Sequence, residues 1–243
     1  MKQKEHVPDM LDDLNFTSIF NTIQGEGSNS GYYTTFIRLH TNQCFPNNRF
    51  CNFCDTIYRK TYNKNLKIDN IRKFLSETRS SMITLTGGEP FAICFDDLTS
   101  FLEICKIYSP FIEVETNGSW FNNLDYCQIR KLNTLIDQYN ISPKLKSSNV
   151  QYNYDSCFYN FDLIKNKSIF KFVISEKLFE KDIEEVKYFN RNLDLIDKIW
   201  LMPQTPCSND FKKKLFDFCV KMKYNYSQRI HIDLFGHNFE KEV

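Results

Sequence analysis

The chain has 243 residues, 42% of them hydrophobic and 25% charged, with a formal net charge of +1. That length can bury a full core within one domain, and the near balance of charge excludes a generally basic nucleic-acid binder or a polybasic membrane-surface protein. No apolar run approaches a membrane span, and residues 1–10 lack the apolar core of a signal peptide, so a cytoplasmic protein is expected. Its nine cysteines then read as reduced thiols, some of them bound to metal.

Along the chain, short β-branched or aromatic runs alternate with segments of helical spacing. Strands are expected at residues 34–39, 82–86, 111–115, 135–141, 169–174, 198–202 and 230–235. Helices are expected near 69–78, 96–108, 179–189 and 208–223. Ile71, Phe74 and Leu75 give the first of these an apolar face, and Asp69 and Ser208 suit N-caps. Residues 144–155, rich in Ser, Asn and Tyr, read as a loop. Nothing marks a second domain or an internal repeat, so residues 1–243 are read as one α/β domain, a mostly parallel sheet with helices outside.

The polar clusters fall at one place in this pattern. Thr86-Gly87-Gly88-Glu89 follows one expected strand, Glu115-Thr116-Asn117-Gly118 the next, then Ser142-Pro143-Lys144, and later Met202-Pro203-Gln204. Each sits at the C-terminal end of its strand, where parallel α/β barrels build their active sites.

Three cysteines lie within eleven residues, at Cys44, Cys51 and Cys54. A Cys-x2-Cys pair brings two thiolates within reach of one metal centre. A closed structural zinc site takes four protein ligands, whereas a 4Fe-4S cluster held by three cysteines leaves one iron open. On these residues alone both readings stand, because His40 could complete a Cys3His zinc-binding interaction module. The remaining cysteines, Cys94, Cys105, Cys127, Cys157, Cys207 and Cys219, have no ligand spacing and read as buried or incidental thiols.

Taken together, Ile23-Gln24-Gly25-Glu26-Gly27, Phe36-Ile37-Arg38-Leu39, Cys51-Asn52-Phe53-Cys54-Asp55-Thr56, Thr86-Gly87-Gly88-Glu89-Pro90, Glu115-Thr116-Asn117-Gly118, Ser142-Pro143-Lys144 and Leu201-Met202-Pro203 resemble the radical S-adenosylmethionine (SAM) enzymes. Within that superfamily they resemble the 7-carboxy-7-deazaguanine synthases. The likeness runs from about residue 19 to about residue 236 and implies a partial, TIM-like barrel. Residues 1–18 would then be an N-terminal extension. The first two cysteines are separated by six residues where the family usually has three, which makes 44–51 a cluster-loop insertion.

The resemblance implies that Cys44, Cys51 and Cys54 hold a 4Fe-4S cluster and that SAM, bound to its open iron, yields a 5'-deoxyadenosyl radical. Hard chemistry of this kind belongs to the cofactor, and the protein positions it. SAM would be bound by Gly87, Gly88, Glu89, Thr116, Ser142, Pro143, Lys144, Met202, Pro203, Gln204 and Thr205. Glu89 has the alternative of bracing its own turn, and Phe53 that of an ordinary loop hydrophobe. The implied substrate is 6-carboxy-5,6,7,8-tetrahydropterin, bound by Ile23, Gln24, Gly25, Glu26, Arg38 and Thr86, and converted with loss of ammonia by a carbon–nitrogen lyase. Thr56 would supply an oxygen to Mg2+; without the resemblance it reads as a helix cap or turn. His231 either faces the substrate or merely sits in its strand. A flavodoxin or ferredoxin as electron donor and a homodimer are also implied. A glycyl-radical activase shares the cysteines and the Gly-Gly-Glu turn but has no use for a pterin-reading loop at Gln24–Gly27.

Overall fold

The computed structural model describes residues 11, 14–41, 44–47, 50–54, 66–150, 152, 154 and 161–236. Eight strands form one sheet in chain order: β1 (Phe16–Ile23), β2 (Tyr33–Leu39), β3 (Met82–Gly87), β4 (Phe111–Thr116), β5 (Gln138–Ile141), β6 (Ser168–Ile174), β7 (Ile199–Pro203) and β8 (Asn225–Tyr226). β1 and β2 pair antiparallel, and every later pair is parallel. The helices are α1 (Ile68–Thr78), α2 (Phe95–Tyr108), α3 (Tyr126–Leu135), α4 (Phe179–Leu193), α5 (Asn209–Met222) and the short α6 (Ile230–Phe235). The sheet is open: β1 and β8 are its two ends. No helix among the described residues is long and apolar enough to cross a membrane.

Successive side chains of a strand point to opposite faces, and here the two faces differ in chemistry. One carries Ile37, Leu39, Ile83, Leu85, Ile112, Val114, Tyr139, Ile141, Phe170, Phe172 and Leu201, all at 1% exposure or less, packed with helix residues such as Leu75, Phe101, Leu132 and Val186. The other carries Arg38, Thr84, Thr86, Glu113, Glu115, Asn140 and Lys171. Parallel strands buried on both faces ordinarily read as unbroken apolar runs, so a polar inner face marks an interior built for something other than packing.

Several expected elements differ from those observed. β1 begins at Phe16, within the stretch expected to be an extension, and buries Phe16, Ser18 and Phe20 on alternate positions. The strand expected at 135–141 is confined to Gln138–Ile141, because 126–135 forms α3; Asp125 accepts from the Gln128 backbone N–H, and the Gln128 side chain returns the bond. α1 is capped at Lys67, and Asp69 instead lies in the first turn, where its charge suits the helix dipole. The strand expected at 230–235 is α6: the alternation of Ile230, Ile232 and Leu234 suits a strand, but the sheet ends at β8 and the run bonds to itself, Gly236 N–H donating to Ile232 O at 2.8 Å.

The Tyr139 hydroxyl is buried on the helix-side face with no hydrogen-bond partner among the described residues, its ring stacked near Phe91 and edge-on to Phe121. An unsatisfied buried hydroxyl costs about 1–3 kcal/mol. Tyr139→Phe is therefore expected to raise the melting temperature by a few degrees, about 2–4 °C per kcal/mol for a chain of this size. A lower melting temperature in thermal unfolding would contradict this packing.

Candidate active site

A cavity of about 270 Å3 opens on the polar inner face at the C-terminal ends of the strands. One end of its wall carries Cys44, Cys51 and Cys54 beside the turn Gly87–Glu89; the other carries the loop 23–26 with Glu115, Asn140 and Lys171.

At the cysteine end, local folding is dictated by close approach. Gly87 has φ +124°, and a Cβ there would stand 2.2 Å from the Leu39 carbonyl oxygen, so only glycine lets β3 end against β2. Glu89 turns inward and is buried: its carboxylate accepts from Phe91 N–H (3.2 Å), Thr116 Oγ1 (2.6 Å) and Asn117 N–H (2.8 Å). The bracing alternative for Glu89 is thus observed, and burial pushes its carboxyl up to about 7 against those bonds. Asn117 Nδ2 donates to Cys44 O at 2.7 Å and lies 3.5 Å from Cys44 Sγ. Lys144 Nζ reaches Ser142 Oγ at 2.9 Å, and its backbone N–H donates to the Tyr154 hydroxyl.

The donor set at this end fits an iron–sulfur cluster. Burial and the Glu89 carboxylate push the Cys44 thiol up to about 12, so a bound cation is what would make it a thiolate ligand. Among the described residues no three His, Cys, Asp or Glu side chains close on a point as ligands of one ion would. His40 is exposed and not part of the cavity wall, so the structure does not place it in a Cys3His knot.

The other end is held by charge. Glu26 accepts from Lys171 Nζ at 2.5 Å and from Arg229 Nε at 2.8 Å, and His231 Nε2 stands 4.0 Å away. Burial alone would raise its pKa, but the Lys171 and Arg229 cations hold the carboxyl far below the usual range. The neighbouring backbone is zipped to the same segment: Gly27 N–H donates to Ser227 Oγ at 2.9 Å and Ile230 N–H to Gly25 O at 3.2 Å. A Cβ on Gly25 would meet His231 Nδ1 at 2.5 Å, which ties that loop position to α6. Beneath the loop, Gln24 Nε2 donates to Glu113 at 2.5 Å and to Glu115 at 3.3 Å, Asn29 Nδ2 to Glu113 at 2.7 Å, and Thr86 Oγ1 to Glu115 at 2.9 Å. Burial, with the adjacent Glu115 carboxylate, pushes Glu113 up to about 7. Arg38 projects into the cavity with its guanidinium 4.8 Å over the Phe20 ring.

The cavity gathers Ile23, Gln24, Gly25, Glu26, Arg38, Thr86, Gly87, Gly88, Glu89, Thr116, Ser142, Lys144, Met202, Gln204 and Thr205 from the expected set, with Phe53 and His231. Pro143 and Pro203 are not in its wall. Thr56 and Cys157 lie outside the described residues. Glu113, Asn140, Lys171 and Arg229 were not expected, and Glu115 was expected only as part of a strand-end motif; the signal for the strand residues was a polar side chain interrupting an otherwise apolar strand.

The open parallel sheet, with three cysteines beside a Gly-Gly-Glu turn at its mouth, is the architecture of a radical SAM enzyme. No protein-family model matches the sequence. The 7-carboxy-7-deazaguanine synthase of Clostridium acetobutylicum is 31% identical over 176 residues, which cover 70% of this chain and 73% of that protein. The synthase of Pyrobaculum aerophilum is 28% identical over 225 residues (90% and 93%), and that of Hyperthermus butylicus 24% over 228 (90% and 92%). The crystal structure of QueE from Escherichia coli shares the fold, with a TM-score of 0.63 at 19% identity, covering 93% of this chain and 100% of that one. The chain belongs to the 7-carboxy-7-deazaguanine synthase family.

Glu113, raised from its ordinary 4.5 to about 7, favours the fold fully below about 4.5 and loses that contribution as pH rises through 7. Glu26, held low, contributes above its ordinary range and loses that contribution in acid. The melting temperature of the cluster-free protein is expected to fall from pH 5 to 8, and Glu113→Gln to flatten that fall, with Glu89 retaining part of it. A slope unchanged by the substitution would contradict the buried-acid reading of Glu113.

Proposed function

We propose that the chain converts 6-carboxy-5,6,7,8-tetrahydropterin to 7-carboxy-7-deazaguanine with loss of ammonia, using SAM and a 4Fe-4S cluster. The observation that carries this reading is one cavity joining the three cysteines to a polar, charge-clamped loop at Gln24–Glu26. Family membership supports it.

Cys44, Cys51 and Cys54 would hold the cluster, and Gly88, Ser142 and Lys144 the SAM beside it; together these groups supply one-electron radical chemistry. The residues do the positioning. Gly87 and Gly88 bring backbone rather than side chains to the cofactor, and Glu89 fixes their turn through the β4 end. Ser142 orients the Lys144 ammonium. Arg38, stacked on Phe20, is placed for the substrate carboxylate as a planar guanidinium suited to bidentate pairing. Gln24, Thr86 and Glu115 offer hydrogen-bonding groups to the heterocycle at the opposite wall. Glu26 has both oxygens engaged by cations, so its role is to hold the loop in place. Pro143, Pro203 and Thr116 support the backbone of these segments.

The proposal extends to Mg2+ held through Thr56, to a ferredoxin or flavodoxin as electron donor, and to a homodimer; each rests on the resemblance at Cys54-Asp55-Thr56 and the other motifs.

Anaerobic reconstitution with iron and sulfide, followed by reduction with SAM, Mg2+ and the carboxytetrahydropterin, is expected to yield 7-carboxy-7-deazaguanine and ammonia. Cys51→Ala should lose the iron–sulfur absorbance together with product, and Thr56→Ala should keep the absorbance but weaken the response to Mg2+. An intact cluster that gives no product would contradict the substrate assignment, and a colourless protein binding one zinc would contradict the class.

A further inference from the structure

Two buried polar side chains of the cavity wall, Ser18 and Asn140, have no hydrogen-bond partner among the described residues, and Asn140 is the one that leaves both a donor and an acceptor unmatched. It is 1% exposed and lies in the cavity wall, and among the described residues neither its Oδ1 nor its Nδ2 has a hydrogen-bond partner. Its neighbours are engaged. Glu115, in direct register with it on β4, accepts from Thr86 and Gln24, and Lys171 is spent on Glu26. The loop closes over it at Gly27, where a Cβ would come within 2.9 Å of Asn140 Nδ2.

A carboxamide is a costly group to leave unsatisfied inside a protein, since it loses water on both its donor and its acceptor side. Nearly all buried polar groups in folded proteins are partnered, and one that is not calls for an explanation. Here the donor and acceptor lie side by side on a rigid strand, in the wall of a cavity with space for a ligand. The complementary ligand edge is a ring carbonyl next to a ring N–H, as on a cyclic lactam, and a pterin's pyrimidinone ring presents that pair.

We propose that Asn140 is a recognition residue for the substrate heterocycle, pairing its carboxamide with the donor–acceptor edge of the fused ring. This rests on the pterin reading of the same cavity. It adds a contact that selects for a lactam edge over a ring that lacks one.

The test uses the reconstituted enzyme, unreduced and with SAM bound, and measures carboxytetrahydropterin binding by anaerobic equilibrium dialysis alongside melting temperature; KM is then measured on the reduced enzyme. Asn140→Leu keeps the side-chain volume and removes both polar atoms. It is expected to leave the ligand-free melting temperature unchanged or raised, while weakening substrate binding and raising KM by roughly tenfold or more. Wild-type enzyme that does not bind the pterin overturns the functional reading and this inference together. Wild-type enzyme that binds, with Asn140→Leu binding equally well, overturns this inference alone. In that case a lowered melting temperature would show that solvent satisfies the amide as part of the fold.

Discussion

An open sheet has two ends to reconcile, and in this protein the buried Glu26 carboxylate reconciles them. It is held by Lys171 from β6 and by Arg229 from the segment after β8, residues 145 and 203 positions away in sequence. Through it the loop following β1 is fastened across the mouth to the far end of the sheet, where backbone bonds from Gly27 and Ile230 extend the seam. Closure comes from charge and loop contacts, with no further strand pairing among the described residues, and so the barrel interior stays open enough to hold a ligand. Buried ion pairs of this kind are weak contributors to net stability but costly to break from one side. They suit a role in fixing geometry.

That constraint explains why the inner face can be polar at all. Glu113 and Glu115 on β4 and Lys171 on β6 would be expensive singly. They are tolerable as a network in which Gln24, Asn29 and Thr86 donate to the carboxylates and Glu26 takes the ammonium. The apolar face beneath the helices supplies the stability, and the polar face supplies the site. Two ends of one cavity then do different work: glycine turns and cysteines where backbone must meet a cofactor, amides and charges where a heterocycle must be read.

Much of this was legible in the sequence. The polar clusters at the strand ends announced the mouth of the sheet, and the cysteines with the Gly-Gly-Glu turn announced its chemistry. α3 was also signalled, by Asp125 with Gln128 three residues on and by Ile129, Leu132 and Leu135, but the apolar run around Ile136 drew the eye to a strand. Residues 230–235 misled because their alternation is that of a strand, and only the position of β8 at the sheet's end shows that no partner waits for it. The clamp itself was out of reach: Glu26 was legible as part of the Gln24–Gly27 loop and Lys171 as a charged interruption of an apolar strand, but nothing in the sequence pairs them with each other or with Arg229. Asn140 and Glu113 stood in plain view as polar interruptions, yet their burial and mutual placement are tertiary facts.

Closure of the sheet depends most on the coupling between Glu26 and Lys171, and a double-mutant cycle in chemical unfolding of the intact chain measures it. Glu26→Gln and Lys171→Met should each destabilise strongly, and the double variant should recover a large part of the loss, giving an interaction energy of about 2 kcal/mol or more. Strictly additive losses would mean that the pair does not close the sheet.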